Sequence, residues 1–166
     1  MDAIKPAASE SDTQNSSKDT LTKGFVARRG ARDFLRLEDA EKAYLTQILE
    51  DFEDDEVPDL AIGTLSGLIG DFWASAAVRP GAQVLKRVVP VLGKEGEPTA
   101  YDVIELIQSD APFIVETVMG ELTEQGVSIR SMFHPVVTIS RDADGKRVKT
   151  GSDKTEAGKE SMMLVL

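Results

Sequence analysis

The succession of apolar runs from Tyr101 onward limits the fold of this 166-residue chain more than any other feature. Residues 101–108 read as a buried strand, and Asp110-Ala111-Pro112 opens a helical stretch whose apolar face is Ile114, Val115, Val118, Met119 and Leu122. Asp110 is the expected N-cap, with Pro112 in the first turn, where a missing donor costs nothing. Gly126 is placed to end that helix as a left-handed cap. Strand-like alternation then runs through Ile129, Met132, Phe133, Val137 and Ile139, Asp144-Gly145 signals a hairpin, and residues 162–166 supply one more short strand. Strand, turn, helix, strand, hairpin, strand is the opening of a βαββαβ plan without its second helix and fourth strand. The last strand is therefore expected to leave an open edge, and the reading frame to continue past Leu166.

Upstream the periodicity is helical. Leu37, Tyr44, Leu45, Ile48 and Phe52 define one amphipathic helix, and Leu65, Leu68, Ile69, Phe72, Trp73 and Ala76 define a second that stops before Arg79-Pro80-Gly81. A loop at Asp54, Asp55 and Glu56 separates them, with Pro58 placed to start the second. The two stripes are expected to pack as an antiparallel pair. Gly63, Gly67 and Gly70 each cost up to about 1 kcal/mol relative to alanine inside a helix, which predicts close approach of a neighbouring backbone. Residues 84–92, rich in valine and leucine but broken by Pro90, fit an edge strand or connector. Residues 1–24 are polar and without period, too poor in apolar groups to offset the cost of ordering. Three parts follow: a disordered, basic tail over 1–36, a helical segment over 37–80, and a domain over 81–166 that is cut short before its second helix.

Composition narrows the possible functions. An apolar fraction of 41% with 29% charged residues is that of a soluble globular chain. No apolar run approaches the roughly 20 residues that span a bilayer, so no membrane partner is expected. The absence of cysteine suits a reducing compartment, and the acidic first residues do not resemble a transit peptide, so the expected location is cytoplasmic. A net charge of −10 opposes nucleic-acid binding. Lys23, Arg28, Arg29, Arg32 and Arg36 cluster against that trend, and pairing with the acid-rich residues 38–59 is favoured over an anion-binding arm. The single histidine, His134, is expected to orient its strand. Trp73 is expected to anchor a core, and Glu105, Asp110 and Glu116 lack the loop spacing of a hard-cation site. No strand is followed by a GxGxxG turn, and no catalytic, cofactor-binding or metal-binding residues are assigned.

An Asp-x-Pro turn between first strand and first helix, a helix ending in Gly and then an Ile-containing strand resemble the ACT domain. Here they are Asp110-Ala111-Pro112, Glu121-Leu122 through Gln125-Gly126, and Val127-Ser128-Ile129. The run from Asp110 to Val118, with His134-Pro135-Val136-Val137 and Arg141-Asp142, is similar to the large bacterial NAD-specific glutamate dehydrogenases. So are Asp59-Leu60, Phe72-Trp73, Arg79-Pro80-Gly81, Val88-Val89-Pro90 and Glu160-Ser161, and the likeness covers approximately residues 38–166.

The resemblance implies an α+β fold: an N-terminal helical pair followed by an incomplete ferredoxin-like, ACT-like βαββ unit with an antiparallel sheet. It implies a regulatory and assembly segment, itself non-catalytic, of an enzyme that oxidatively deaminates L-glutamate to 2-oxoglutarate and ammonia. NAD would be bound by the parent enzyme and not by this segment, whose partners would be the remainder of the dehydrogenase chain and further copies in a homo-oligomer. Because ACT domains often bind amino acids beside the strand-to-helix turn, Asp110, Ala111, Pro112 and Phe113 form a candidate effector turn. Many such domains carry Gly after the proline, and the Phe113 ring is expected to fill the pocket instead. A free-standing amino-acid sensor or helical adaptor is the alternative.

Overall fold

The computed structural model describes residues 10–53, 60–81, 84–93, 96–149 and 157–166. Three leader helices come first: α1 (Glu10–Arg28), α2 (Asp39–Asp51) and α3 (Ile62–Ser75), with a short 3-10 turn at Phe34–Arg36. The rest is a sheet and one further helix: β1 (Leu85–Leu92), β2 (Pro98–Ser109), α4 (Ile114–Glu124), β3 (Met132–Phe133), β4 (Val136–Arg141), β5 (Arg147–Val148) and β6 (Ala157–Val165). Strand order is β1-β2-β6-β4-β5, with β3 also beside β6, and every pairing is antiparallel. The α+β class and the antiparallel ACT-like sheet thus hold, with three leader helices instead of two.

Both β2 and β4 run antiparallel to the β6 strand between them, so they are parallel to each other and α4 is a crossover helix. Side chains alternate across the sheet. Val103, Ile107, Met162, Leu164, Val137 and Ile139 face the leader helices and share one core with Tyr44, Ile69, Phe72 and Trp73. Met163 and Val165 are buried on the opposite face, outside that core, where the crossover passes. Strand β1 pairs with β2 as an edge strand, as its Pro90 requires. It lies beside the first strand of the βαββ unit, in the place that the fourth strand takes in a complete ferredoxin-like sheet.

Strand β6 was expected at an open edge and is instead the middle of the sheet, paired with β2 on one side and with β3 and β4 on the other. Residues 160–166 are buried without interruption. The unbroken apolar run of residues 162–166 is the pattern of a strand covered on both faces.

The tail expected to be disordered is also corrected. From Glu10 the chain is helical, and Leu21, Phe25 and Val26 are buried against α3. Only a short stripe on an otherwise polar helix carries this docking, which an average over residues 1–24 conceals. Residues 1–9 lie outside those described, as do the expected loop at 54–56, the helix start at Pro58 and residues 150–156, half of the polar stretch 146–159 that reads as a loose extension of the hairpin.

Helix α3 pairs closely with α1, not with α2 as expected. A Cβ at Gly24 would lie 2.2 Å from Ser66 Oγ, so glycine is what lets the two backbones approach. Within α3 the glycines act differently from expectation: Gly63 faces open space, while a Cβ at Gly70 would meet Arg28 Cδ at 2.7 Å. The neighbour there is a side-chain stem, not a backbone. Helix α2 leans on β4 instead, where the Gln47 amide donates to Val136 O and accepts from Val136 N, both at 2.9 Å. Its Tyr44 hydroxyl donates to Ile69 O at 3.1 Å and so reaches α3.

Replacing Phe25 by alanine is expected to lower unfolding free energy by about 3–5 kcal/mol, the cost of emptying a large core site. Denaturant unfolding of the variant checks this, and a change below about 0.5 kcal/mol, the size of a surface effect, would return α1 to the status of a tail.

Candidate functional site

The turn between β2 and α4 holds the four residues singled out by sequence. Asp110 N donates to Lys159 O at 2.9 Å, which fixes the end of β2 against β6. Asp110, Ala111, Pro112 and Phe113 are all exposed. Asp110 is not the N-cap: α4 starts at Ile114 and Phe113 precedes it, with φ 66° and ψ 12° and no side-chain cap. The Phe113 ring is 74% exposed, so it fills no pocket. A bulky residue in the left-handed region costs on the order of 1–3 kcal/mol, and a glycine would relieve it. The opening amides of α4 are left to solvent, and the first bond inside the helix is Thr117 N to Phe113 O at 3.0 Å. Glu116, in the first turn, already supplies the negative charge that this helix end favours.

A second set of residues drawn from the sequence motifs converges in the interior. Arg79, after α3, Arg141, on β4, and Glu160, on β6, form a buried ion cluster. Glu160 Oε1 accepts from Arg79 Nη2 at 2.8 Å and from Arg141 Nε at 2.7 Å, and its Oε2 accepts from Arg141 Nη2 at 2.8 Å. Arg141 also donates to Ala76 O and Ala77 O at 3.0 and 3.2 Å, satisfying carbonyls at the end of α3. Burial pushes the Glu160 carboxyl up, but the hydrogen bonds and charges of Arg141 and Arg79 outweigh it and hold the group below the usual glutamate range.

His134 Nε2 hydrogen-bonds Ser161 Oγ on the opposite face of β6 from this cluster, and Met162 N donates to Pro135 O at 3.0 Å, so the His134-Pro135 step is tied to β6. Trp73 is core, with Nε1 donating to Glu41 Oε1 at 3.0 Å and its ring 4.9 Å from that of Tyr44. Glu105, Asp110 and Glu116 do not converge: Glu105 faces the leader helices, and the other two are exposed at the α4 end. Among the described residues no group of three or more His, Cys, Asp or Glu is arranged to hold a metal, and no helix is long and apolar enough to cross a membrane.

Sequence reasoning missed Glu105 as a buried charge. Its side chain is 1% exposed, with Oε2 3.2 Å from Arg87 Nε, yet neither oxygen accepts a well-aligned hydrogen bond. Burial raises its carboxyl, with Arg87 opposing. An acid at an inward-facing position of an apolar strand, between Val103 and Ile107, was the available signal.

Residues 44–166 match the family described as glutamate dehydrogenase, ACT1 domain. The chain belongs to this family. An NAD-specific glutamate dehydrogenase of Halomonas elongata is 28% identical over 127 residues, which is 74% of this chain and 8% of that protein. One of Pseudomonas aeruginosa is 30% identical over 79 residues, 46% of this chain and 5% of that protein. The chain thus spans only a small fraction of the length of these curated relatives. No solved structure matches it. Within this ACT1 family member, Arg79, Arg141 and Glu160 all fall in the matched range, whereas α1 precedes it.

Because the folded Glu160 titrates below its unfolded value, it contributes stability that is complete above the ordinary glutamate range and lost as pH falls through the folded value. Glu160→Gln is expected to cost about 3–5 kcal/mol at neutral pH by leaving two buried guanidinium groups short of their partner. The variant's stability should also fall less steeply than the parent's between about pH 5 and pH 3. Urea unfolding across that range reads both effects.

Proposed function

We propose that this chain is the N-terminal, non-catalytic part of a large NAD-dependent glutamate dehydrogenase and serves its regulation and assembly. The parent enzyme oxidatively deaminates L-glutamate to 2-oxoglutarate and ammonia in the cytoplasm, with NAD bound outside this segment. The match to the ACT1 domain over residues 44–166 carries the reading, because it falls on an antiparallel sheet whose one strand-to-helix crossover begins at Asp110-Ala111-Pro112. Dinucleotide sites are built differently, with a glycine-rich turn following a strand of a parallel sheet.

Assembly is supported by the sheet face that bears the α4 crossover. Val88 on β1 is 60% exposed there, close to the exposed Val127, and Leu92 further along the strand is 49% exposed. Together with Ile104 and Val165, Val88 and Val127 border a groove of about 530 Å³. An apolar strip on an edge strand is a surface that a further copy of the chain covers in a homo-oligomer, while the remainder of the dehydrogenase is a second partner. The Asp110–Phe113 turn is the place for an amino-acid effector, reached through the open amides at the start of α4.

The chain is expected to form no NADH from L-glutamate and NAD, and to self-associate in sedimentation velocity with a dependence on concentration that Val88→Lys with Leu92→Lys abolishes. Glutamate-dependent NADH formation by the chain alone contradicts the non-catalytic reading. A monomer at every concentration, indifferent to both lysines, contradicts assembly through β1.

A further inference from the structure

A cleft of about 670 Å³ lies where the end of α1 and the 3-10 turn meet the β5 hairpin, lined by Arg29, Arg32, Arg36, Lys146 and Arg147. Two acids, Glu38 and Glu41, also line it. Both are engaged within the fold. Glu41 Oε1 accepts from Arg29 Nε at 2.7 Å and from Trp73 Nε1 at 3.0 Å. Glu38 and Glu41 also complete the capping box of α2, Glu38 through its side chain and Glu41 by accepting from Glu38 N at 3.0 Å.

The cations are not balanced in the same way. Of the basic cluster near the N-terminus, Lys23 pairs with Asp19, Arg28 with Asp71 and Arg29 with Glu41. Among the described residues, only Arg29 finds its partner in the acidic stretch of residues 38–59. Arg32, Arg36 and Lys146 are exposed and form no ion pair among the described residues. Arg147 stands deepest: its guanidinium carbon is 3.7 Å from the Trp73 ring centre, and Nη2 donates to Trp73 O at 3.1 Å. Its buried Nη1 meets no acceptor. Burial, with Arg141 and Arg29 nearby, lowers the Arg147 guanidinium to about 10, as expected where like charges crowd without enough anions.

A chain of net charge −10 that gathers five cations around one cleft, four of them without an ion pair among the described residues, leaves an electrostatic demand its own side chains do not meet. We infer that this cleft binds a small multivalent oxyanion, with Arg32, Arg36 and Lys146 at its mouth and Arg147 at its floor. Guanidinium forks suit carboxylate and phosphate groups equally, so the shared chemistry is two or more linked oxyanion groups. The site goes beyond the dehydrogenase reading: Arg29, Arg32 and Arg36 precede the residues matched to the ACT1 domain.

Calorimetric titration of the chain with inorganic tripolyphosphate and with citrate, at a fixed ionic strength of about 0.15 M, tests the inference. One saturable site of submillimolar affinity is expected for at least one of them, tripolyphosphate if the natural ligand is phosphorylated and citrate if it is a polycarboxylate. Arg32→Glu combined with Lys146→Glu should weaken that binding about tenfold or more while leaving the unfolding midpoint in place, since both side chains are exposed. Lys23→Glu, on α1 and paired outside the cleft, should leave it unchanged. Absence of saturable binding by both anions overturns the inference. So does equal weakening by the Lys23 variant, which would mark general charge attraction.

Discussion

Glu160 sits between two arginines that come from different parts of the chain, and the relation of the leader helices to the sheet depends on that junction. Arg79 follows α3 directly, Arg141 ends β4, and the carboxylate they share stands on the central strand. Arg141 reaches further, to the carbonyls of Ala76 and Ala77, so a sheet residue completes the end of a helix. Three charges removed from water are expensive unless each hydrogen-bonding position is used, and here the guanidinium donors and both carboxylate oxygens have partners. The cluster therefore fixes geometry as much as it adds stability. It allows one register of helix end against strand.

Around that junction the two faces of the sheet have different fates. One is closed by α1, α2 and α3 over a core in which Tyr44, Trp73, Ile107 and Leu164 are buried. The other carries the α4 crossover and leaves Val88 and Leu92 open at the β1 edge. The division leaves one face to maintain the fold and the other with apolar side chains exposed at its edge. Trp73 links the core to the basic cleft, since its ring supports Arg147 and its indole N–H holds the Glu41 carboxylate that also receives Arg29.

Much of this was legible in the sequence where periodicity and turn chemistry agreed. The α3 stripe, the Gly126 cap with its φ of 73° and the β1 edge marked by Pro90 all stand as read, while the α4 face reaches no buried position. The family motifs were legible too, and Arg79, Arg141 and Glu160 prove to meet at one place, with His134 and Ser161 paired on the other face of β6, which no spacing along the chain could reveal. Failures arose where a local rule met a tertiary one. Leu21, Phe25 and Val26 are too few to mark a helix until α3 lies against them. The run at residues 162–166 reads as an end until its pairing on both sides is known. Asp110 had the residue type of a cap but not the position, because Phe113 takes the left-handed turn before α4. Lys146 lies far in sequence from Arg32 and Arg36, and only the fold brings it to their cleft.

The central claim is that leader helices and sheet form one cooperative unit joined through Glu160. Native-state hydrogen exchange, followed amide by amide in rising denaturant, tests it most directly. If the claim holds, the most protected amides of α1, α3 and β6 open together, with free energies that agree within about 1 kcal/mol. If the amides of α1 and α3 exchange through a separate opening of much lower free energy while β2 and β6 stay protected, the leader is an independent appendage and the account is wrong.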